Sequence, residues 1–295
     1  MLKVRKAVFP VAGRGTRFLP ATKAVPKEML PLIDRPLIGY AVEEALKSGI
    51  EELIFVTAPG KEAIIEHFTA DPELVSMLER SGKSSIARLV ESESLPKGRI
   101  HVTIQEEPLG LGHAIWCARN LVGDEPFAVI LPDDVIMSQR PCVAQLIDAH
   151  RRVGGNVAAV MDVPRSDTAS YGVLDVEQDD GRLARSRGLV EKPAPEKAPS
   201  TLSIIGRYVL QPSIFKELNK KAVGSGGEIQ ITDAIANAIP RESFHGVRFE
   251  GRRFDCGKKE GWLEATVAYA LKRRDLQDTM TDILQTYANR LSSAA

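Results

Sequence analysis

Four cations follow the first apolar run of the chain: Arg14, Arg17, Lys23 and Lys27 lie within the stretch 11–31, just after Ala7-Val8-Phe9. Gly13 and Gly15 stand among them, and Glu28 is the one acid. Glycine lets a backbone approach a ligand closely and cationic side chains hold anions, so such a loop at a strand's carboxyl end suits wrapping a polyphosphate. Two familiar phosphate loops fail on spacing. The Walker pattern requires G-K-[ST] with a further glycine five positions upstream; neither Gly60-Lys61-Glu62 nor Gly82-Lys83-Ser84, with Met77 upstream, satisfies it. The dinucleotide fingerprint requires a third glycine where Phe18 stands, and Pro20, Pro26 and Pro31 prevent a helix from opening there.

The elements that must hold this loop alternate in period. Apolar runs at 6–11, 53–57, 100–105 and 127–131 read as buried strands, and helical spacing follows at 37–46, 63–68, 114–120 and 143–150. Residues 71–98 read as a helical insertion broken by Ser81-Gly82-Lys83-Ser84-Ser85. After a strand at 157–163 the texture becomes β-rich, at 172–177, 183–190 and 204–210, and helical patterns return at 212–218, 231–239, 260–273 and 275–290, with 292–295 frayed. Strands apolar throughout and separated by helices predict an α/β fold: a Rossmann-like mixed, mostly parallel central sheet with helices on both faces. Ligands then belong at the strands' carboxyl ends. The expected organisation is one domain over 1–295, with a nucleotide-binding part about 1–160, a sugar-phosphate-binding part about 161–258 and a helical part about 259–295.

Composition excludes several classes. Lys+Arg and Asp+Glu balance at 39 each and aromatics are 5%, against a nucleic-acid partner. No apolar run approaches the roughly 20 residues of a membrane span, and no signal-peptide core follows the first charged residues, so a cytoplasmic protein without a membrane partner is expected. Cys117, Cys142 and Cys256 lack C-x-x-C spacing and read as three reduced thiols; the five histidines show no i,i+4 pair to hold zinc.

Gly13-Arg14-Gly15-Thr16-Arg17 and then Pro26-Lys27-Glu28-Met29-Leu30-Pro31 resemble the signature loop of the sugar-1-phosphate nucleotidylyltransferases, G-x-G-T-R followed by P-K-x-x-L-P. Further segments resemble the bacterial UTP–glucose-1-phosphate uridylyltransferase branch of that family, from about Lys6 to Tyr269. They are Gln105-Glu106-Glu107-Pro108-Leu109-Gly110-Leu111-Gly112-His113-Ala114, Leu131-Pro132-Asp133-Asp134, Tyr171-Gly172-Val173, Val190-Glu191-Lys192-Pro193, Gly206-Arg207-Tyr208 and Phe254-Asp255-Cys256-Gly257. Each falls at an expected strand end.

The resemblance implies the nucleotide-diphospho-sugar transferase fold and a reaction in which a phosphate oxygen of glucose 1-phosphate attacks the α-phosphorus of UTP, giving UDP-glucose and pyrophosphate. It assigns Mg2+ to Asp133 and Asp255, which have the oxygen chemistry that ion takes, and leaves open whether Asp134 is the ligand of its adjacent pair. Lys27 would hold the nucleotide phosphates, Arg17 the leaving pyrophosphate and Lys192 the sugar phosphate. Gln105 is the expected base reader, its amide pairing donor and acceptor with uracil, completed by Ala12, Gly13 and Gly110, with Gly15 in the same loop. Gly110 and Gly112 equally suit the turn before the helix at 114. Glu191 and the backbone at Gly172 and Gly206 would read the hexose. The segment 224–233, resembling the family's E-x-Q-L-T-D, reads as structural or interface-forming. A phosphate monoester is already anionic at neutral pH, so no Ser-His-Asp or Cys-His set is needed. The resemblance also makes a homodimer or homotetramer the expected assembly. The alternatives are a thymidylyltransferase on glucose 1-phosphate and a non-catalytic sensing or assembly subunit of the same fold.

Overall fold

Residues 2–293 are described in the computed structural model. Along the chain run β1 (Lys6–Pro10), the hairpin β2 (Pro31–Leu32) and β3 (Arg35–Pro36), β4 (Glu52–Thr57), β5 (Ile100–Ile104), β6 (Phe127–Ile130) and β7 (Asp134–Met137). Then come β8 (Asn156–Asp162), β9 (Gly172–Asp179), β10 (Leu183–Glu191), β11 (Leu202–Leu210), β12 (Phe244–Arg248) and β13 (Arg252–Asp255). One sheet has the order β5-β4-β1-β6-β11-β8-β12-β10-β9. The block from β5 to β6 is parallel, β11 is antiparallel to both β6 and β8, β12 is parallel to β8, and β10 is antiparallel to β12 and β9. Within this sheet only β10 and β11 oppose the common direction, so it is mixed and mostly parallel, as the apolar runs predict.

Alternation along the strands supplies both faces of the sheet with a core. Phe9, Phe55 and Ile130 pack with Ile38, Ala41 and Val42 of the helix Leu37–Lys47 and Leu146 of the helix Cys142–Val153. Val8, Ile54 and Val129 face the other way, onto Ile115, Ile214, Ile231 and Ile235. The register Pro10 opposite Val56 and Thr57 opposite Ile104 brings the ends of β1, β4 and β5 level, so the segments that leave them share one edge. At the far side β9 returns to β11 through Ser203 opposite Val173.

The insertion forms two helices, Pro72–Arg80 and Ser84–Glu93, the first capped by Asp71, which accepts from the Leu74 N–H at 3.0 Å. Several local expectations are corrected. The helix expected at 114–120 begins at Leu111, so Gly112 lies inside it, and Ala118 divides it from Arg119–Val122. The last helix runs Gln277–Ser293, so Ser292 and Ser293 are helical rather than frayed, while Ala294 and Ala295 lie outside the described residues. Strands β7 and β12 lie outside the expected strands, and β13 is the β-like segment expected before Gly257. No described helix is long and apolar enough to cross a membrane.

Beneath the carboxyl end of β6 lies Arg207, whose side chain is 1% exposed. It donates to Glu44 from Nε and Nη2 (3.0 and 2.9 Å), to the carbonyls of Leu131 (2.8 Å) and Gly206 (2.9 Å) from Nη1, and to that of Asp134 (2.7 Å) from Nη2. Removing one partner of a buried pair leaves the other charge uncompensated, so Arg207→Met is expected to cost about 3 kcal/mol in urea unfolding. Adding Glu44→Gln should recover part of that loss. An unchanged midpoint in Arg207→Met would show that the guanidinium does not brace this edge.

Candidate active site

The basic loop is folded back on itself by Gly15, at φ 63°, where a Cβ would stand 2.9 Å from the Cβ of Lys27. Only glycine tolerates both that conformation and that contact, so Gly15 sets how closely the loop lies on Lys27. The prolines permit three short 3-10 turns, Thr16–Phe18, Ala21–Lys23 and Lys27–Met29, in place of a helix. Lys61, reaching over from the segment after β4, donates from Nζ to the carbonyls of Val11 (2.5 Å) and Gly13 (2.6 Å) and pairs with buried Glu28 (2.9 Å). That brace escaped the sequence reading, where Gly60-Lys61-Glu62 served only as a rejected Walker candidate.

Two cavities open at the shared edge. The first, about 350 Å³, is lined by Ala12, Gly13, Arg14, Lys27, Gln105 and Gly110 among others. The second, about 400 Å³, is lined by Arg17, Gly172, Glu191, Lys192, Gly206 and Asp255 among others. They meet at Leu111, Leu131, Asp133 and Glu228, which line both. Every site residue expected from sequence except Gly15 thus lines one or both cavities; Gly15 acts through Lys27. Lys23 is exposed and lines neither.

Asp133 and Asp255 are brought together by the antiparallel ribbon β7–β13, in which Asp134 stands opposite Asp255. The Cys256 N–H donates to the Asp133 carbonyl at 2.8 Å. The point where a side chain on Gly257 would begin lies 3.0 Å from Asp133 Oδ2, 3.1 Å from Asp255 Oδ1 and 3.5 Å from Arg17 Nη1. Glycine at 257 leaves that space clear between two hard oxygen donors, which is the donor chemistry of a small divalent cation. Lys27 Nζ lies 2.5 Å from Asp133 Oδ2.

The adjacent carboxylates diverge in environment. Burial pushes the Asp133 carboxyl up, but the charge and hydrogen bond of Lys27 outweigh it and hold the group below the usual carboxylate range. Burial raises Asp134, neighbouring Asp133 and Asp255 raise it further, and the opposing charges of Arg253 and Arg207 do not offset this. Asp134 accepts from Arg253 Nε (2.5 Å) and from the Gly206 N–H (2.9 Å). Of the pair left open by the sequence, Asp133 lines both cavities, whereas Asp134 lines only the second and has one oxygen taken by Arg253 and the other by the Gly206 N–H. Arg253 also donates to the Tyr171 hydroxyl (2.9 Å) and stands 3.6 Å from Asp255 Oδ2, linking ribbon to second cavity. The Cys256 thiol beside these acids is pushed up to about 12 by burial and the three aspartates, so no thiolate nucleophile is available there.

In the second cavity, Lys192 is a non-glycine residue at φ 47°, its Nζ 3.3 Å from Glu191 Oε1. A strained backbone at such a position aims a side chain that relaxed geometry would point elsewhere. Two expectations about readers are corrected. Gly206 lines the cavity, but its N–H is committed to Asp134 and its carbonyl to Leu131 N–H and Arg207, leaving little for a hexose. Gln105 donates from Nε2 to the Gly110 carbonyl at 3.1 Å. A carbonyl can only accept, which fixes the amide's orientation; Gln105 therefore offers the cavity its Oε1 as an acceptor rather than a donor–acceptor pair. Ala12, Gly13 and Gly110 also line that cavity, and their N–H groups make no backbone hydrogen bond among the described residues.

Residues 6–272 match the family described as "Nucleotidyl transferase". The chain belongs to the nucleotidyl transferase family. Similar curated nucleotidyl transferases include a UTP–glucose-1-phosphate uridylyltransferase of Komagataeibacter xylinus, 51% identical over 87% of this chain and 90% of the relative. Another, from Bacillus subtilis (strain 168), is 45% identical over 98% of this chain and 99% of the relative. Among solved structures, UTP-bound UGPase from Acinetobacter baumannii superposes with a TM-score of 0.89 at 37% identity, over 96% of this chain and 99% of that one. The resemblance read from the motifs is thereby borne out.

In this nucleotidyl transferase the segment 224–233, expected to be structural or interface-forming, also reaches the second cavity. The Ile229 carbonyl accepts from Gly112 N–H (2.8 Å), and Ile229 N–H donates to Leu109 (2.7 Å), fixing the segment against the helix from Leu111. Glu228, Gln230 and Thr232 then line the second cavity. Their polar types were visible in the sequence, but their approach to Gly112 is a long-range contact with no local signal.

Proposed function

We propose that this nucleotidyl transferase makes UDP-glucose and pyrophosphate from UTP and α-D-glucose 1-phosphate. The observation that carries the reading is the meeting of two cavities at Asp133, one behind the basic loop and one behind Lys192. A triphosphate seated in the first and a sugar phosphate in the second have their reactive ends at the shared wall. Nucleotidyl transfer asks little covalent help of a protein, so alignment and charge neutralisation carry the catalysis.

Ala12, Gly13, Gln105 and Gly110 hold the uracil, and Lys27 the nucleotide phosphates. Arg17 lines the second cavity and reaches towards Gly257 beside Asp133 and Asp255, and we assign it to phosphate charge where the two cavities meet, with the departing pyrophosphate as the expected partner. Lys192 holds the phosphate of the sugar in line, and Glu191 accepts hexose hydroxyls beside Gly172. Asp133 and Asp255 would hold Mg2+, which supplies neutralisation of phosphate charge when bound. We read the chain as one domain whose nucleotide and sugar-phosphate parts are these two cavities' walls.

The test is a matrix of each nucleoside triphosphate against each hexose 1-phosphate, following pyrophosphate release. UTP with glucose 1-phosphate should be the fastest pair; no release with any pair would leave a non-catalytic subunit, and a faster dTTP would move the chain to the thymidylyl alternative. Lys192→Ala is expected to raise the KM of glucose 1-phosphate about tenfold, the loss of one charge-assisted contact, with little change for UTP. A rise confined to UTP would reassign Lys192 to the nucleotide.

A further inference from the structure

His113 is buried in the first turn of the helix that starts at Leu111, behind Gln105 rather than in the lining of the first cavity, and belongs to none of the roles above. Its Nδ1 lies 3.2 Å from Gln105 Nε2 and 3.2 Å from the Glu107 carbonyl, its Nε2 3.9 Å from Cys117 Sγ, and its ring stacks on Trp116 at 5.6 Å. Nδ1 cannot serve both near neighbours, since the Gln105 nitrogen only donates and the Glu107 carbonyl only accepts. The Glu107 carbonyl already accepts from Leu109 N–H at 2.8 Å. The second N–H of the Gln105 amide has no other acceptor among the described residues, and a buried donor left unpaired is the costlier defect. The balance places the ring proton on Nε2, towards Cys117, and the lone pair on Nδ1, towards Gln105.

We propose that His113 is a positioning residue that sets base choice: with Gly110 it takes both N–H groups of Gln105, so the amide can present only its oxygen to the nucleobase. The inference rests on Gln105 being the base reader. An oxygen at that place pairs with the ring N–H of uracil, or of thymine, and repels the unprotonated ring nitrogen that cytosine carries there. Without His113 the amide keeps one tether, at Gly110, and its free N–H turns into the cavity, where cytosine can accept it.

The two ring nitrogens can be told apart by isosteres, because an asparagine side chain places its Oδ1 near the position of Nδ1, whereas a glutamine amide reaches the position of Nε2. His113→Leu and His113→Gln are expected to lower the ratio of kcat/KM for UTP over CTP about tenfold, with the KM of glucose 1-phosphate unchanged. His113→Asn should keep the ratio near that of the unsubstituted enzyme. Direct titration with UTP and CTP, read as Kd, should show the same pattern, and thermal unfolding identifies any variant that fails to fold. Loss of discrimination in His113→Asn equal to that in His113→Leu, or no loss in either His113→Leu or His113→Gln, overturns the proposal. Gln105→Ala separates it from the reading beneath: a ratio lost there but kept in His113→Leu overturns the positioning role alone, and a ratio kept in Gln105→Ala removes the base reader and this proposal with it.

Discussion

Asp133→Asn and Asp255→Asn are each expected to lower kcat by about a thousandfold, roughly 4 kcal/mol of transition-state stabilisation, while the protein stays folded. The amide keeps the shape of the carboxylate and removes the charge, so what is lost is the hard anionic donor to a divalent cation. Both oxygens border one cleared space beside Gly257, so either change should be nearly as damaging as the pair, and the double variant should fall well short of the product of the two single losses. The free protein tolerates the two differently. Asp133 is the partner of Lys27, whereas Asp255 has Arg253 at 3.6 Å and Lys258 at 3.5 Å, both with other neighbours or solvent. Asp133→Asn is therefore expected to lower the unfolding midpoint more than Asp255→Asn. Raising Mg2+ should recover part of the turnover in both. Turnover at the unsubstituted level in both variants, at saturating substrates, would sink the metal assignment.

The distance of that ribbon from anything local explains what the sequence does and does not disclose. Strands β1, β4, β5 and β6 are legible because each is apolar throughout and bounded by turn residues, and their order along the chain already implies a parallel block with ligands at its carboxyl edge. The loop from Gly13 to Pro31 is legible because several types recur at fixed spacing. Strands β7 and β13 are four residues each and pair across more than a hundred positions, so even where the segment before Gly257 reads as β-like, nothing local marks its pairing with β7. Their consequence, that Asp133 borders both cavities while the oxygens of Asp134 are engaged by Arg253 and the Gly206 N–H, is unreadable for the same reason: alternation assigns two neighbours to opposite faces but does not say what each face meets. Lys61, Arg207 and Arg253 look in the sequence like ordinary solvated cations. Each instead closes a set of backbone carbonyls or carboxylates around the crevice, a role conferred by long-range packing.

Lys27 stands where these elements converge, and its replacement by methionine is the second large effect expected. Methionine preserves the length and the contact of Cβ with Gly15 but brings no charge to the phosphates. Removing one preorganised donor from developing charge typically costs about 10²–10³-fold, so kcat/KM for UTP should fall by that factor, with the KM of glucose 1-phosphate little changed. The same change alters stability in a pH-dependent way whose sign is fixed by Asp133. In the folded protein burial works against that carboxylate and Lys27 more than compensates, holding it below the usual range, so its contribution is present at neutral pH and lost as pH falls through the depressed value. In Lys27→Met burial acts with its nearest opponent gone, and the contribution disappears or reverses. The stability deficit of the variant should then be greatest near neutrality and shrink as pH falls below the ordinary carboxylate range and through the depressed value of the unsubstituted protein, beyond which Asp133 is protonated in both. A deficit that is flat from pH 7 to pH 3 would mean that methionine disturbs the packing on Gly15 rather than the charge on Asp133. An unchanged kcat/KM for UTP would place the nucleotide's phosphates elsewhere.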